Sequence, residues 1–441
     1  MRDEPLRAIR RLGRLAGQVL PAPRAVAPEG ARTGHPQGLG AAPVHAKQLP
    51  TTTYARVKVK RHHTPHGARE AFGFEAYCPG VPPLEYRSGE GQRRPQAISL
   101  GNARQGGEPP SELLRSIRRW SGHQRPLTDW INRCRAAHQD ALQIVFLDQT
   151  GFDLPWEALT LPAAPEAGLA GGLLGALVDM ARWLDVRHGR DDFPADAAAP
   201  VGSVLGYFHH DMRSDMTVFH GYDHRPHTGI VSFLNSLDAH DADRTGLVYM
   251  GCHGTFADQL SELTLADVTW AEYSDQEMAL LSRDGSLVCL NACHSGRLLD
   301  YDGDGRQYLR GFTEIFLGKG AGGCIVTAGK VGDAEAGKLI RQLVETVTAD
   351  PARPVARALR AFRAGALAEF EAGGGARLRA GDGIPLQVRD DGTFDASGQR
   401  HVLRLLYSLM FQYYGHPLST LRLTGPHEHG ARAREGAQHE R

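Results

Sequence analysis

The sequence lacks an excess of either charge. Its 441 residues include 50 Lys and Arg and 50 Asp and Glu, so the formal net charge is zero. Without a global field, composition gives no reason to expect binding to nucleic acid or to a charged membrane surface. The sequence also lacks an apolar run long enough to span a bilayer, and its N-terminus lacks the continuous apolar core of a secretory signal. These absences predict a cytoplasmic protein without an integral membrane segment.

Cysteines are few, and they are not arranged as a disulfide framework. The six are Cys78, Cys134, Cys252, Cys289, Cys293 and Cys324. They are spread along the chain without paired spacing, which is typical of free thiols in a reducing compartment. Five of them are interpreted as small buried apolar side chains, which leaves Cys293 as the candidate for chemistry.

Changes in composition predict four segments. Residues 1–50 are rich in Arg, Ala, Gly and Pro and are predicted to be a disordered basic leader. The spacing of the apolar residues in this leader leaves an amphipathic helix open as an alternative. Residues 51–200 and 201–425 are predicted to form two lobes, separated by a polar, proline-bounded stretch. Residues 426–441 are predicted to be a disordered tail.

Two hydrophobic patterns indicate the fold class. Period-two alternation predicts a strand over 54–60 with a hairpin partner at 72–77. Near-continuous apolar runs predict strands buried on both faces of a parallel sheet; they are 142–148, 202–208, 247–251, 287–293 and 323–328. The predicted helices are 111–120, 127–138, one beginning at Pro155, 228–237, 274–281, 307–317, 334–347 and 354–370. This alternation predicts an α/β fold with a mostly parallel sheet covered on both faces.

Two of the predicted strands end in residues that can carry chemistry. The run from Thr245 ends at His253 and Gly254, and the run from Leu287 ends at Cys293. Reactive groups collect at the carboxyl edge of open parallel sheets, so His253 and Cys293 are expected to meet there. A cysteine beside a histidine has the minimum equipment for a thiolate nucleophile. The backbone N–H groups of Gly254 and Cys293 are the candidates for an oxyanion hole.

Neighbouring residues offer alternatives that the sequence disfavours. His294 is a rival base, but consecutive residues leaving a strand point apart, which favours His253. Ser295 is not surrounded by a nucleophile elbow. No pair among the cysteines and histidines near the site has a usual zinc-ligand spacing, so no metal is expected. Three histidines on an early turn are interpreted as part of a solvated loop; they are His62, His63 and His66.

The segment from Asn291 to Gly296, with His253 before it, resembles the CHAT family of caspase-like cysteine proteases, relatives of caspases, metacaspases and separases. The resemblance extends to three further stretches, which are Leu154 to Glu157, Gly311 to Gly329 followed by Asp333, and Tyr414 to Pro417, where His416 replaces an acid of the family pattern. It implies a caspase-like three-layer α/β/α sandwich with a degenerate N-terminal lobe and an active C-terminal lobe. It also implies that His253 is the general base and Cys293 the nucleophile of peptide-bond hydrolysis.

The resemblance further implies a regulated cysteine endopeptidase with a specific protein substrate. Bacterial relatives are often paired with a dedicated target, such as a gasdermin-like pore former, and are activated by a sensor protein; a role in bacterial defence is therefore expected. The chain shows no repeat array that would serve as its own sensor. Two other functions stay open: a non-catalytic caspase-like scaffold that uses the cleft for binding, and a small-molecule amidase or acyltransferase.

Four residues are candidates for the substrate pocket: Asn291, Asp300, Asp302 and Asp304. Metacaspases cut after Arg or Lys and carry an Asp two residues before the nucleophile, where this chain has Asn291. A neutral amide cannot neutralise a cation in a dry pocket. An uncharged residue is therefore expected before the scissile bond, unless one of the three aspartates folds into the pocket.

The same three aspartates open like a calcium-binding loop, with carboxylates at the first, third and fifth positions and Gly305 at the sixth. Gly311 stands at the twelfth position, where a bidentate Glu would be expected. The prediction is a solvated acidic loop and no cofactor, with calcium dependence as the alternative.

Overall fold

The computed structural model describes residues 54–63, 70–87, 98–102, 110–184, 196–239, 243–303, 306–372 and 396–426. The predicted leader, His66, Asp304 and all of the predicted tail after residue 426 lie outside these residues. So do the side chains of His62, His63 and Asp302.

The strands of the described residues form one large sheet and three small ones. The large sheet contains β1 (Tyr54–His63), β2 (Glu70–Cys78), β3 (Val81–Arg87), β4 (Gln143–Asp148), β7 (Asp179–Trp183), β8 (Val201–Phe208), β9 (His224–His227), β10 (Thr245–Gly251), β14 (Leu287–Asn291), β17 (Gly323–Thr327), β18 (Phe411–Gly415) and β19 (Arg422–Leu423). The small sheets contain β5 (Thr160–Leu161) and β6 (Gly172–Leu173); β11 (Gly254–Thr255), β12 (Thr264–Leu265) and β13 (Val268–Thr269); and β15 (Leu299–Gly303) and β16 (Arg306–Arg310).

Strands from both predicted lobes join the large sheet. Its order is β19-β8-β10-β14-β17-β18-β7-β4-β1-β2-β3, and β9 pairs with β8. Neighbouring strands are parallel except in three pairs, which are β17 with β18, β1 with β2, and β2 with β3. β18 comes from the C-terminal part of the chain and lies between β17 and β7. The predicted α/β class with a large, mostly parallel sheet is confirmed.

Helices cover both faces of this sheet. They are α1 (Pro110–His123), α2 (Arg125–His138), α3 (Leu174–Leu177), α4 (Ile230–Asp238), α5 (Trp270–Asp275), α6 (Ala279–Asp284), α7 (Phe312–Gly318), α8 (Asp333–Ala349), α9 (Val355–Ala372) and α10 (Ala396–Met410). Successive residues of β10 pack into different clusters: Val248 lies with Phe233 of α4, and Tyr249 with Leu339 of α8. Because side chains alternate along a strand, this places one helix layer on each face.

None of the helices in the described part of the chain combines the length and the apolar character needed to cross a bilayer.

Two predicted helices have different boundaries in the structure. Instead of one helix over 274–281 there are two, α5 and α6. Thr269 caps α5 and forms a capping box with Glu272. The apolar pattern alone does not indicate this helix start. Instead of a helix over 307–317, β16 pairs with β15 in a hairpin and α7 begins only at Phe312. The prediction was wrong at its start because it joined the apolar residues of α7 to the preceding residues, which form β16.

The expected helix at Pro155 is a single 3-10 turn, Trp156–Ala158. An acidic residue in this position, Glu157, would favour a helix start by its charge. In the structure its carboxylate is buried, and it accepts hydrogen bonds from Arg182 of β7 at 2.5 and 2.9 Å. Arg182 also donates to the carbonyl of Leu154 at 2.9 Å. Since Arg182 pairs in register with Tyr414 of β18, the ion pair lies where strands of the two predicted lobes meet.

Candidate functional site

The sheet brings the predicted histidine and cysteine to the same edge. β10 and β14 are neighbours and run parallel, with Gly251 opposite Asn291 at the end of the ladder. His253 and Cys293 each follow two residues after these paired positions. The backbone therefore leaves the sheet at the same level after β10 and after β14. This is the condition for the side chains of His253 and Cys293 to work together.

The two loops touch each other through Gly254. A Cβ added at this glycine would lie 2.2 Å from the carbonyl oxygen of Cys293, closer than any side chain tolerates. The backbone of Cys252 also donates to the carbonyl of Asn291 at 3.4 Å. The lack of a Cβ at Gly254 lets the histidine loop pack directly against the cysteine loop.

His253 has an acidic partner that sequence reasoning missed. Its Nε2 lies 3.1 Å from Oδ2 of Asp211. The ring of His209 packs edge-on against it, with 4.6 Å between the ring centroids. With Nε2–H donating to the carboxylate, Nδ1 carries the lone pair that can take a proton. Asp211 follows β8, the other neighbour of β10, and this adjacency at one sheet edge is the signal that would have identified it.

A buried network holds the segment that carries Asp211. This segment, His210–Phe219, consists of two 3-10 turns joined across a kink at Met212. After the kink, Asp215 accepts a hydrogen bond from the hydroxyl of Tyr249 on β10 at 2.5 Å. The amide of Asn291 on β14 donates to the same hydroxyl at 2.8 Å and to Asp215 at 3.4 Å. Burial raises the pKa of Asp215. The network ties the part of the segment after the kink to both site strands, and Asp211 lies just before the kink.

Asn291 is thus engaged beneath the site. Only 4% of it is exposed, and its amide is hydrogen-bonded inside the fold. Of the other proposed pocket residues, Asp300 forms an ion pair with Arg61 at 2.6 Å. The role of Asn291 and Asp300 in substrate recognition stays a prediction.

Cys293 is partly buried, unlike the other five cysteines, which are all buried. Burial is the largest influence on its thiol and raises its pKa. The backbone N–H groups of Val331 and of Cys293 itself, together with the charge of Lys330, act in the opposite direction. Val331 follows β17, and sequence reasoning had not included it. In this arrangement the thiol form is favoured over the thiolate.

Two residues next to the nucleophile have other contacts. The ring of His294 faces Phe256, with 6.3 Å between centroids, and its backbone is in the left-handed region. Arg297 stacks over Phe256 at 3.7 Å and forms an ion pair with Asp153 at 2.7 Å. Arg297 carries a positive charge close to the nucleophile in sequence, and this charge is already paired with Asp153.

Two of the cysteines near the site are poorly placed to bind zinc. Cys252 is 0% exposed and Cys289 is 1% exposed, and burial raises the pKa of each thiol strongly. Among the described residues, the group that could hold a metal ion is His209, His210 and Asp211, which follow β8.

We expect Asp211→Asn to lower kcat for peptide-bond hydrolysis by about 100-fold, within the usual range for proton-transfer groups, and to leave KM nearly unchanged. Asn keeps the shape of the side chain but removes the charge that favours protonated His253. Steady-state kinetics on a cleaved peptide would measure this. Asp258→Asn is the matched control, because Asp258 is an exposed aspartate in the loop after His253. A loss confined to KM would show that Asp211 serves binding.

The raised pKa of Cys293 predicts how its alkylation depends on pH. Only the thiolate reacts with iodoacetamide, so the rate should rise about tenfold for each unit between about pH 7 and about pH 9. Mass spectrometry of quenched samples would follow the label, and fully buried Cys252 should stay unlabelled. A labelling rate that is already constant from about pH 6 upward would instead indicate a standing thiolate paired with a cation.

Comparisons with known proteins agree with the resemblance noted in the sequence. The model of the CHAT domain matches residues 222–370, a segment that contains His253, Gly254 and Cys293. The search of curated proteins finds no match.

The solved structures that match this chain include the following three. A separase–securin complex of Saccharomyces cerevisiae is 14% identical, with a TM-score of 0.32, and the match covers 62% of this chain but 16% of that chain. The Arg-specific cysteine proteinase gingipain R is 11% identical, with a TM-score of 0.39, over 68% of this chain and 69% of that chain. A complex of pro- and mature domains of RgpB from Porphyromonas gingivalis is 10% identical, with a TM-score of 0.38, and the match covers 68% of this chain and 70% of that chain. These are distant likenesses, and none of them supports an inference about substrate.

Proposed function

We propose that this chain, which carries a CHAT domain, is a cysteine endopeptidase in which Cys293 is the nucleophile, His253 the general base and Asp211 the residue that orients the base. The observation that carries the proposal is the meeting of the two site loops. The register of β10 and β14 delivers His253 and Cys293 to one edge, and Gly254 packs against the carbonyl of Cys293.

The proposed reaction proceeds through an acyl-enzyme. His253 takes the proton from the thiol as the sulfur attacks the scissile carbonyl carbon, and the oxyanion is held by the backbone N–H groups of Gly254 and Cys293. The C–N bond then breaks, and the protonated His253 gives its proton to the leaving amine. Water, deprotonated by the same imidazole, hydrolyses the thioester and restores the thiol. Asp211 stabilises the imidazolium that is present between the two proton transfers.

Burial of Cys293 supports a regulated enzyme. Because its pKa is raised, the thiolate must form during the reaction, after substrate or an activator has completed the site. From the resemblance to the CHAT family we further propose a specific protein partner as the substrate and an upstream sensor protein as the activator. The paired effector implied by the resemblance, a gasdermin-like pore former, is the partner class to test first.

The pocket residues support an uncharged residue before the scissile bond. Asn291 is engaged with Tyr249, and the carboxylate of Asp300 is already neutralised by Arg61. Arg297 is likewise paired with Asp153. Among these candidates, no charge is left over to balance a charged substrate side chain, which would cost several kcal/mol in a dry pocket.

The second candidate function is a non-catalytic scaffold, and one observation favours it. A raised thiol pKa is the opposite of what a standing thiolate requires. A scaffold would bind a partner in the same cleft without cutting it.

A peptide-library digestion distinguishes these functions. The full chain and its Cys293→Ala variant are incubated with a peptide library, with and without candidate partner proteins, and new termini are identified by mass spectrometry. The proposal predicts cuts after uncharged residues that the variant does not make. Selection for Arg or Lys would contradict the assigned specificity and point to the acidic hairpin as the missing anion. Binding of a partner without any cut would favour the scaffold.

A further inference from the structure

The segment that orients His253 also contains a cluster of metal-ligand side chains. Nε2 of His210 lies 3.1 Å from Oδ1 of Asp211. Nδ1 of His209 lies 3.5 Å from Oδ2 of the same carboxylate, and Nε2 of His253 lies 3.1 Å from that oxygen. Three imidazoles from two adjacent loops therefore converge on a single carboxylate.

One ligand atom from each of His209, His210 and Asp211 lies within 4.8 Å of the other two. With bonds of about 2.0–2.2 Å to nitrogen and oxygen, ligand atoms around tetrahedral Zn²⁺ lie about 3.4 Å apart. The distances from Asp211 to His210, 3.1 Å at Oδ1, and to His209, 3.5 Å at Oδ2, lie close to this value. Neutral imidazole and carboxylate together suit zinc and its first-row neighbours, whereas Ca²⁺ and Mg²⁺ prefer sites built from oxygen.

The cluster is accessible to an ion from solvent. The side chains of His210, Asp211 and His253 are exposed, whereas that of His209 is 19% exposed.

From this geometry we propose that His209, His210 and Asp211 bind a zinc-class divalent cation, and that the bound metal inhibits proteolysis. The inhibition follows from the shared carboxylate. A cation on Asp211 competes for the oxygen that lies 3.1 Å from Nε2 of His253 and places a positive charge beside this ring. That charge opposes protonation of the ring, so His253 no longer serves as the base. The binding itself does not depend on the proposed function; the inhibition does.

The binding is tested on the full chain carrying Cys293→Ala, which removes the site thiol as a competing ligand. Co²⁺ is titrated and followed by its visible absorption, and Zn²⁺ affinity is measured by competition with a chromophoric chelator. His210→Ala should weaken Zn²⁺ binding at least about tenfold, since even partners of ligands have effects of 10–100-fold. His220→Ala is the matched control, an exposed histidine at the far end of the same segment. Equal affinity in the two variants, or no Co²⁺ spectrum, would overturn the site.

The inhibition is tested on the chain with Cys293 intact. For each variant, peptide cleavage with Zn²⁺ is compared with its own rate in chelator, so differences in basal rate cancel. Inhibition should require at least about tenfold more Zn²⁺ in His210→Ala than in wild type or His220→Ala. Inhibition at the same concentration in all three would place the inhibitory zinc on the thiol and overturn the regulatory part. A chain that binds Co²⁺ but cleaves nothing would instead contradict the proposed peptidase.

Discussion

Cys293→Ala and His253→Ala should each lower kcat/KM for peptide hydrolysis by about 10⁴-fold or more, and the double variant should lose no more than either single one. Groups that act as one unit in catalysis show such non-additive losses, because removal of one leaves the other without a role. The physical reason here is the raised pKa of Cys293. A thiol that is protonated at rest needs His253 at the moment of attack.

Kinetics on a cleaved peptide would measure these losses, with thermal unfolding to confirm that each variant is folded. His294→Ala is the matched control, since it removes an imidazole adjacent to the nucleophile that faces Phe256 instead. Its loss should be less than about tenfold, because it leaves the proton-transfer group in place. Cleavage by Cys293→Ala at the wild-type rate would place the nucleophile elsewhere. Single losses that multiply in the double variant would show that the two residues act independently.

The largest effect on stability is expected at Glu157. Its carboxylate is 1% exposed and lies against Arg182, which is 6% exposed. Removing one partner of a buried ion pair leaves an uncompensated charge in the interior, so Glu157→Gln should lower the free energy of unfolding by about 3–5 kcal/mol. The charge of Glu157 also acts on a second buried cation, Arg363, so the loss of that charge costs more. Arg363 is fully buried, its Nε and Nη1 have no hydrogen-bond partner, and burial lowers its pKa to about 10.

Chemical denaturation would measure the change, and the chain offers two controls. Glu75→Gln removes the acid of an exposed pair with Lys60 and should change the free energy of unfolding by less than about 1 kcal/mol. Arg363→Met replaces a poorly paired buried cation with an apolar side chain of similar length, and it should be neutral or stabilising. A loss below about 1 kcal/mol in Glu157→Gln would show that water reaches this pair.

Sequence patterns predicted the parts of the structure that depend on neighbouring residues. Continuous apolar runs predicted β4, β10, β14 and β17, because strands buried on both faces have no polar positions to interrupt them. Since parallel strands deliver their last residues to one edge, the position of His253 and Cys293 at the same edge of the sheet could be predicted as well.

The remaining features depend on contacts between distant parts of the chain. Asp211 follows β8, and only the strand order places it beside His253. Glu157 carries a charge that fitted a helix start, whereas its partner Arg182 lies 25 residues further along. The placement of β18 between β17 and β7 joins a C-terminal strand to both predicted lobes. No local sequence pattern predicts this placement. The hairpin of β15 and β16 was missed because the apolar residues of α7 follow it directly.

The most direct test of the account is the site of covalent capture by a peptide electrophile. The full chain is treated with a peptidyl acyloxymethyl ketone that carries an uncharged residue next to the warhead, and the adduct is located by mass spectrometry of peptides. The account predicts one thioether at Cys293, formed far more slowly in His253→Ala and more slowly in Asp211→Asn than in wild type. Capture at another residue, or capture at Cys293 with equal rates in all three proteins, would contradict the assigned dyad.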